Sequence, residues 1–97
     1  MTPEAKVKKK VKATLDALGM YYFMPFMGGY GTAGVPDIVG CYKGRFIGIE
    51  CKAGAGRTTA LQVKNLKDIE HNGGIALVIN ENNIDELETL IRNCHEI

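Results

Sequence analysis

Apolar residues Val7, Val11, Leu15 and Leu18 recur at helical spacing between a start at Thr2-Pro3, where Thr2 can cap and proline takes the first helical position, and a stop at Gly19. Glu4, three residues before Val7, falls on the same stripe, so an acid is expected on an inward face. Lys6, Lys9 and Lys10 fall on the opposite, solvated side, with Lys8 and Lys12 flanking the stripe. Residues 21–26 are rich in aromatic side chains and close on Pro25-Phe26, which predicts a short strand at the edge of a sheet. Residues 28–34 hold too much glycine for helix or strand, so a mobile loop is expected there, lying over whatever Asp37 belongs to.

Two apolar runs, 35–42 and 45–52, are joined by Lys43-Gly44, the signal of a tight hairpin. Residues 53–57 form a second flexible loop ending in Arg57, after which Thr58 or Thr59 caps a helix that runs to about His71 and stops at Gly73-Gly74. Residues 75–79 are a short apolar strand. Asn83 with Glu86 has the form of a capping box for a last helix carrying Leu87, Leu90, Ile91 and Cys94. The order is α-β-β-β-α-β-α with neither repeats nor a linker, which makes residues 1–97 one domain of the α/β class, an α+β mixed sheet covered by helices.

Composition changes this picture little. The charged fraction of 24% is ordinary for a folded soluble chain. No apolar run is long enough to span a membrane, and the Lys-rich start lacks the apolar block of a signal peptide, so an intracellular protein is expected. The three cysteines are odd in number and widely spaced, and only two histidines accompany them, which argues against structural zinc and a disulfide framework. Cys41 and Cys51 lie in apolar strands, where cysteine usually serves as a small buried hydrophobe. Net charge is only +1, but five lysines crowd residues 1–20 against two acids, whereas residues 80–97 carry five acids against Arg92. One end can face phosphates while the other faces away.

The candidate chemistry lies on the hairpin. Side chains alternate along a strand, so Glu50 and Lys52 project from one face of an apolar element, where charges are costly unless paired or bound to a metal. A Glu-x-Lys in isolation is commonly just a salt bridge at a strand end. Asp37 changes the odds, because the hairpin doubles back and sets it opposite the Glu50 end of the partner strand. Two carboxylates that close repel unless a cation lies between them. An all-oxygen site suits Mg²⁺ or Mn²⁺ rather than zinc. Gln62 shares a helical stripe with Leu66 and Ile69 and is expected to look inward, although taken singly it would pass for a partly exposed amide.

This Pro36-Asp37…Glu50-Cys51-Lys52 arrangement resembles the PD-(D/E)XK nuclease superfamily. With an acid in the first helix (Glu4), a Gly-rich approach to Asp37 and a glutamine helix after the motif (Gln62), it is similar to the virus-type replication-repair nuclease, or VRR-NUC, branch in its standalone form. The resemblance covers nearly the whole chain and implies a restriction-endonuclease-like core. It implies catalytic roles for Asp37, Glu50, Lys52, Glu4 and Gln62, with the metal held by Asp37, Glu50, the Cys51 backbone carbonyl and, as a further ligand, Glu4. It also implies a homodimeric DNA endonuclease of DNA repair that resolves four-way Holliday junctions. Flap or single-strand cleavage, or a non-catalytic nucleic-acid-binding domain on the same fold, are the alternatives. Lys8, Lys12 and Arg57 are candidate nucleic-acid contacts, and Tyr30 either stacks on a base or sugar or anchors its own loop.

Overall fold

The computed structural model describes residues 1–26 and 33–94. Thr2 accepts a hydrogen bond from the Ala5 amide and opens α1 (Pro3–Leu18), which Gly19 closes in a left-handed conformation, its amide donating to Asp16 and Leu15. Three strands follow: β1 (Tyr21–Phe23), β2 (Ile38–Tyr42) and β3 (Arg45–Cys51). Then come α2 (Ala60–His71), β4 (Ile75–Ile79), a 3-10 turn Ile84–Glu86 and α3 (Leu87–Arg92). The strands lie in the order β1-β2-β3-β4, antiparallel up to β3 and parallel between β3 and β4. This is the expected mixed α+β sheet with the expected element order. Lys43 and Gly44 both take positive φ, 50° and 84°, as a two-residue hairpin turn requires.

The two faces of the sheet are unequal. Ile38 and Tyr42 of β2, Ile47, Ile49 and Cys51 of β3 and Ile79 of β4 join Val7, Val11 and Leu15 of α1 and Leu87 and Ile91 of α3 in one buried core. The opposite face receives α2, which packs over β3 and β4 and buries none of its residues fully. Arg45 ties the turn end of the hairpin to distant segments, donating to the Gly73 carbonyl at 2.8 Å and to the Cys94 carbonyl.

Four expectations need correction. The first strand ends at Phe23, so Met24, Pro25 and Phe26 lie outside the sheet. Cys41 is exposed, because β2 carries it on the α2 side of the sheet but α2 packs over β3 and β4 and does not reach it, and Cys51 alone of the two strand cysteines is buried. Asn83 makes no capping box: its side chain accepts from the Asn80 amide and donates to the Val78 carbonyl, so it closes the turn after β4 and α3 begins only at Leu87. Residues 53–57 include a turn tied down at two points, by Gly56 N–H to the Ala53 carbonyl and Gly54 N–H to Glu81 Oε1, both within 2.9 Å. Most of the Gly-rich segment 28–34, Tyr30 included, lies outside the described residues.

Candidate active site

Strand register builds the site. Ile38 pairs with Ile49, so Asp37, one residue earlier, stands beside Glu50, one residue later on the partner strand. The Cys51 amide donates to Asp37 Oδ2 at 2.8 Å, which fixes that carboxylate across the hairpin's open end. Glu50 and Lys52 sit on the α2 face, as alternation requires, and Cys51 points into the core with α1.

Pro36 and α2 approach this face closely. Gly34 lies at φ 83°, and a Cβ there would stand 2.8 Å from the Leu61 backbone of α2. Asn65 of α2 also donates to the Ala33 carbonyl. At Gly48 a Cβ would come within 2.7 Å of Ile69 and 3.1 Å of Pro36. These small residues let the strap before Asp37 and the helix bearing Gln62 close on the same stretch of β3. Neither glycine stands out locally, since the helix each accommodates lies far along the chain.

Gln62 does two jobs. Thr59 is the N-cap of α2, its hydroxyl accepting from the Gln62 amide at 3.2 Å while Gln62 Oε1 accepts from the Thr59 amide at 2.8 Å. That reciprocal capping box leaves Nε2 to donate to Glu50 Oε2 at 2.9 Å. Lys52 Nζ lies 3.4 Å from the same oxygen. Gln62 thus meets Glu50 itself. The Thr59-x-x-Gln62 spacing carries the capping box, a signal that helix phase alone does not use.

Glu50 is 2% exposed, and its other oxygen, Oε1, is buried with no hydrogen-bond partner among the described residues. Burial pushes its carboxyl up to about 7, with the negative charge of Asp37 adding to the rise and Lys52 opposing it. Burial, again with Asp37, pushes the Cys51 thiol up to about 12, so this cysteine stays protonated and is not a nucleophile. A buried acid with an orphaned oxygen beside a second acid is a donor set that a cation would complete. No group of three or more carboxylate, histidine or cysteine side chains able to hold a metal occurs among the described residues.

Glu4 departs from its expected inward place. It is exposed, because burial along α1 begins only at Val7 and the first turn projects beyond the core, although its charge still acts on the Cys51 thiol. Lys8 is drawn to the acids, its Nζ 3.7 Å from Asp37 Oδ1. Lys12 is half-buried one turn further along α1, and Arg57 is exposed. Lys6, Lys9 and Lys10 are exposed, as expected of the solvated side of α1, and Lys6 and Lys10 border a separate cleft of about 320 Å³ with Pro3, Val7, Glu81 and Ile84.

No protein family and no curated protein matches the chain in sequence. Solved structures do match, among them a protein described as "VRR_NUC domain protein", at a TM-score of 0.72 and 19% identity over 98% of this chain and 89% of that one. The chain therefore has the fold of a VRR_NUC domain protein, a restriction-endonuclease-like core whose hairpin carries Asp37, Glu50 and Lys52 at its open end.

Proposed function

We propose that the chain is a nuclease of the VRR-NUC family that hydrolyses DNA phosphodiesters with Mg²⁺ or Mn²⁺. The observation that carries this is the buried, unpartnered Glu50 Oε1 beside Asp37 and Lys52, on a fold shared with a VRR_NUC domain protein. A metal held by Asp37, Glu50 and the Cys51 carbonyl would supply Lewis-acid polarisation of the phosphate and acidify a water. Oxygen donors alone suit these hard cations better than zinc.

The chain's own groups perform the rest. The Cys51 amide and the Gln62 amide hold one oxygen of each acid, leaving the other oxygen of each to face a cation. Lys52, 14% exposed, hydrogen-bonds the attacking water and then the oxygens on which charge develops. Water adds to phosphorus, the P–O3′ bond breaks and the proton passes to O3′, leaving a 5′-phosphate and a 3′-hydroxyl. Lys8 attracts the phosphate chain to the acids, and Lys12 and Arg57 extend the cationic track. Glu4, exposed on the first turn of α1, would hold a metal-bound water or a second metal from the solvent side.

The reading extends to a homodimer acting inside the cell on branched DNA, a four-way junction above all. A single domain offers one site, and two-fold symmetry matches a two-fold junction. Tyr21, Phe23 and Phe46 are 73%, 51% and 47% exposed on the α2 side of the sheet, on the part beside α2 that the helix leaves uncovered, an apolar area of the kind a second copy covers. Among the described residues no helix is long and apolar enough to cross a membrane.

Cleavage of labelled four-way, flap and single-stranded DNA in Mg²⁺ or Mn²⁺ tests this. Wild type is expected to cut at least one of them, and Asp37→Asn and Lys52→Ala to lose roughly a hundredfold or more. No cleavage by wild type, or equal cleavage by the variants, overturns it.

A further inference from the structure

Beside Asp37 the fold leaves a hollow of about 220 Å³ bounded by Lys8, Met24, Pro25, Pro36, Asp37 and Gln62. Two chemistries meet there. Met24, Pro25 and Pro36 make apolar walls, while the Lys8 ammonium stands 3.7 Å from Asp37. Pro25 and Met24 are available because the strand ends at Phe23 and releases them toward α1 and the strap before Asp37. Pockets for drug-sized ligands run to roughly 300–1,000 Å³, so this hollow of about 220 Å³ suits one smaller group. A cation beside an apolar slot is what a single nucleotide presents in complement: a phosphate joined to a ring with apolar faces.

We propose that this hollow is a subsite for one unpaired nucleotide next to the scissile phosphate, with its base between Met24, Pro25 and Pro36 and its phosphate on Lys8. The proposal rests on the nuclease reading for the word scissile alone. A base inside a continuous duplex is stacked and paired and reaches such a slot only by extrusion, which costs a few kcal/mol, whereas an unpaired nucleotide enters without that cost. The subsite therefore selects DNA at a branch point, where a junction or flap can release one nucleotide from its stack, and continuous duplex is the poor substrate. Lys8 faces Asp37 when the hollow is empty and turns to a phosphate when the hollow is filled.

The test compares a fluorescent oligothymidylate with a strand of the same length built of abasic residues, bound to the full chain in EDTA so that nothing is cut. Wild type is expected to bind the thymidylate about tenfold more tightly. Met24→Asn/Pro25→Ser, which makes the wall polar without changing charge, is expected to bind both strands alike, at the wild-type affinity for the abasic one. A 4-thiothymidine strand irradiated on wild-type protein is expected to cross-link within residues 24–25 or 34–36. Equal wild-type affinities, a preference that survives the double substitution, or cross-links confined to other segments each overturn the subsite. Base-dependent binding without any cleavage in Mn²⁺ would sink the nuclease reading alone, and cleavage with no base dependence would sink the subsite alone.

Discussion

Gln62 donates its side-chain amide to Glu50 at 2.9 Å while its carbonyl oxygen receives the Thr59 amide, so one side chain both starts α2 and holds a buried acid of the candidate site. The helix start and the carboxylate are thereby positioned together, and a change in either is felt by the other. Substitution separates the two roles. Gln62→Leu removes both and is expected to cost on the order of 1–2 kcal/mol of stability and about tenfold in cleavage rate. Gln62→Glu keeps the capping box but sets a third acid against Glu50, so the helix start survives while activity falls. Urea unfolding and cleavage kinetics measured on both variants decide this. Equal activity in Gln62→Glu and wild type would remove Gln62 from the site.

Glu50 makes stability depend on pH in a definite direction. Its carboxyl has an ordinary value of 4.5 and is pushed up to about 7 in the fold. Between those values the folded chain keeps a proton that the unfolded chain has released, so stability falls as pH rises from 4.5 to 7 and levels off above. The shift corresponds to on the order of 3 kcal/mol. Unfolding in EDTA is expected to show this loss, and Glu50→Gln to lack it and to be the more stable protein at pH 8. Wild type whose stability does not fall over that interval contradicts the burial of an unpaired acid.

Divalent metal should reverse the same loss. Ligand at about a hundred times its dissociation constant stabilises by about 2.7 kcal/mol. Mn²⁺ at pH 8 is expected to raise the melting temperature of wild type and to leave Asp37→Asn and Glu50→Gln unmoved. Calorimetric titration gives the matching stoichiometry, and a wild type that binds no metal ends the metal assignment.

Gly34 holds the strap before Asp37 against α2. Gly34→Val meets both a positive φ of 83° and the Leu61 backbone at 2.8 Å, whereas Gly19→Ala meets a positive φ of 69° with nothing within 4 Å. The left-handed conformation alone costs an ordinary residue about 1–2 kcal/mol. Gly34→Val is expected to cost clearly more than Gly19→Ala and to abolish cleavage, because relief of the clash moves Asp37. Comparable losses at both positions would show that the close approach is unimportant.

The uncovered apolar part of the sheet beside α2, with Tyr21, Phe23 and Phe46, predicts association. Sedimentation equilibrium is expected to give a dimer, and Phe46→Glu a monomer with unchanged circular dichroism. A wild type that remains monomeric at tens of micromolar argues against symmetric junction cleavage.

Local pattern determined much of this protein. The Lys43-Gly44 turn sets the hairpin register, and the register alone brings Asp37 beside Glu50, because pairing in a two-residue hairpin leaves no freedom once the turn is placed. The Thr2 cap and the Val7-Val11-Leu15 stripe were equally plain, being properties of one helix. Direction, however, is not depth. Helix phase aims Glu4 inward but cannot say that the first turn overruns the core, and strand alternation assigns Cys41 a face but not whether a helix covers it. The partners of Gln62, Gly34 and Lys8 lie 12, 27 and 29 residues away respectively, so only the packing of α2 and α1 on the sheet decided that they converge on Glu50 and Asp37. The orphaned oxygen of Glu50 beside Asp37 is a property of that convergence, since it is left without a partner only once the helices have covered it.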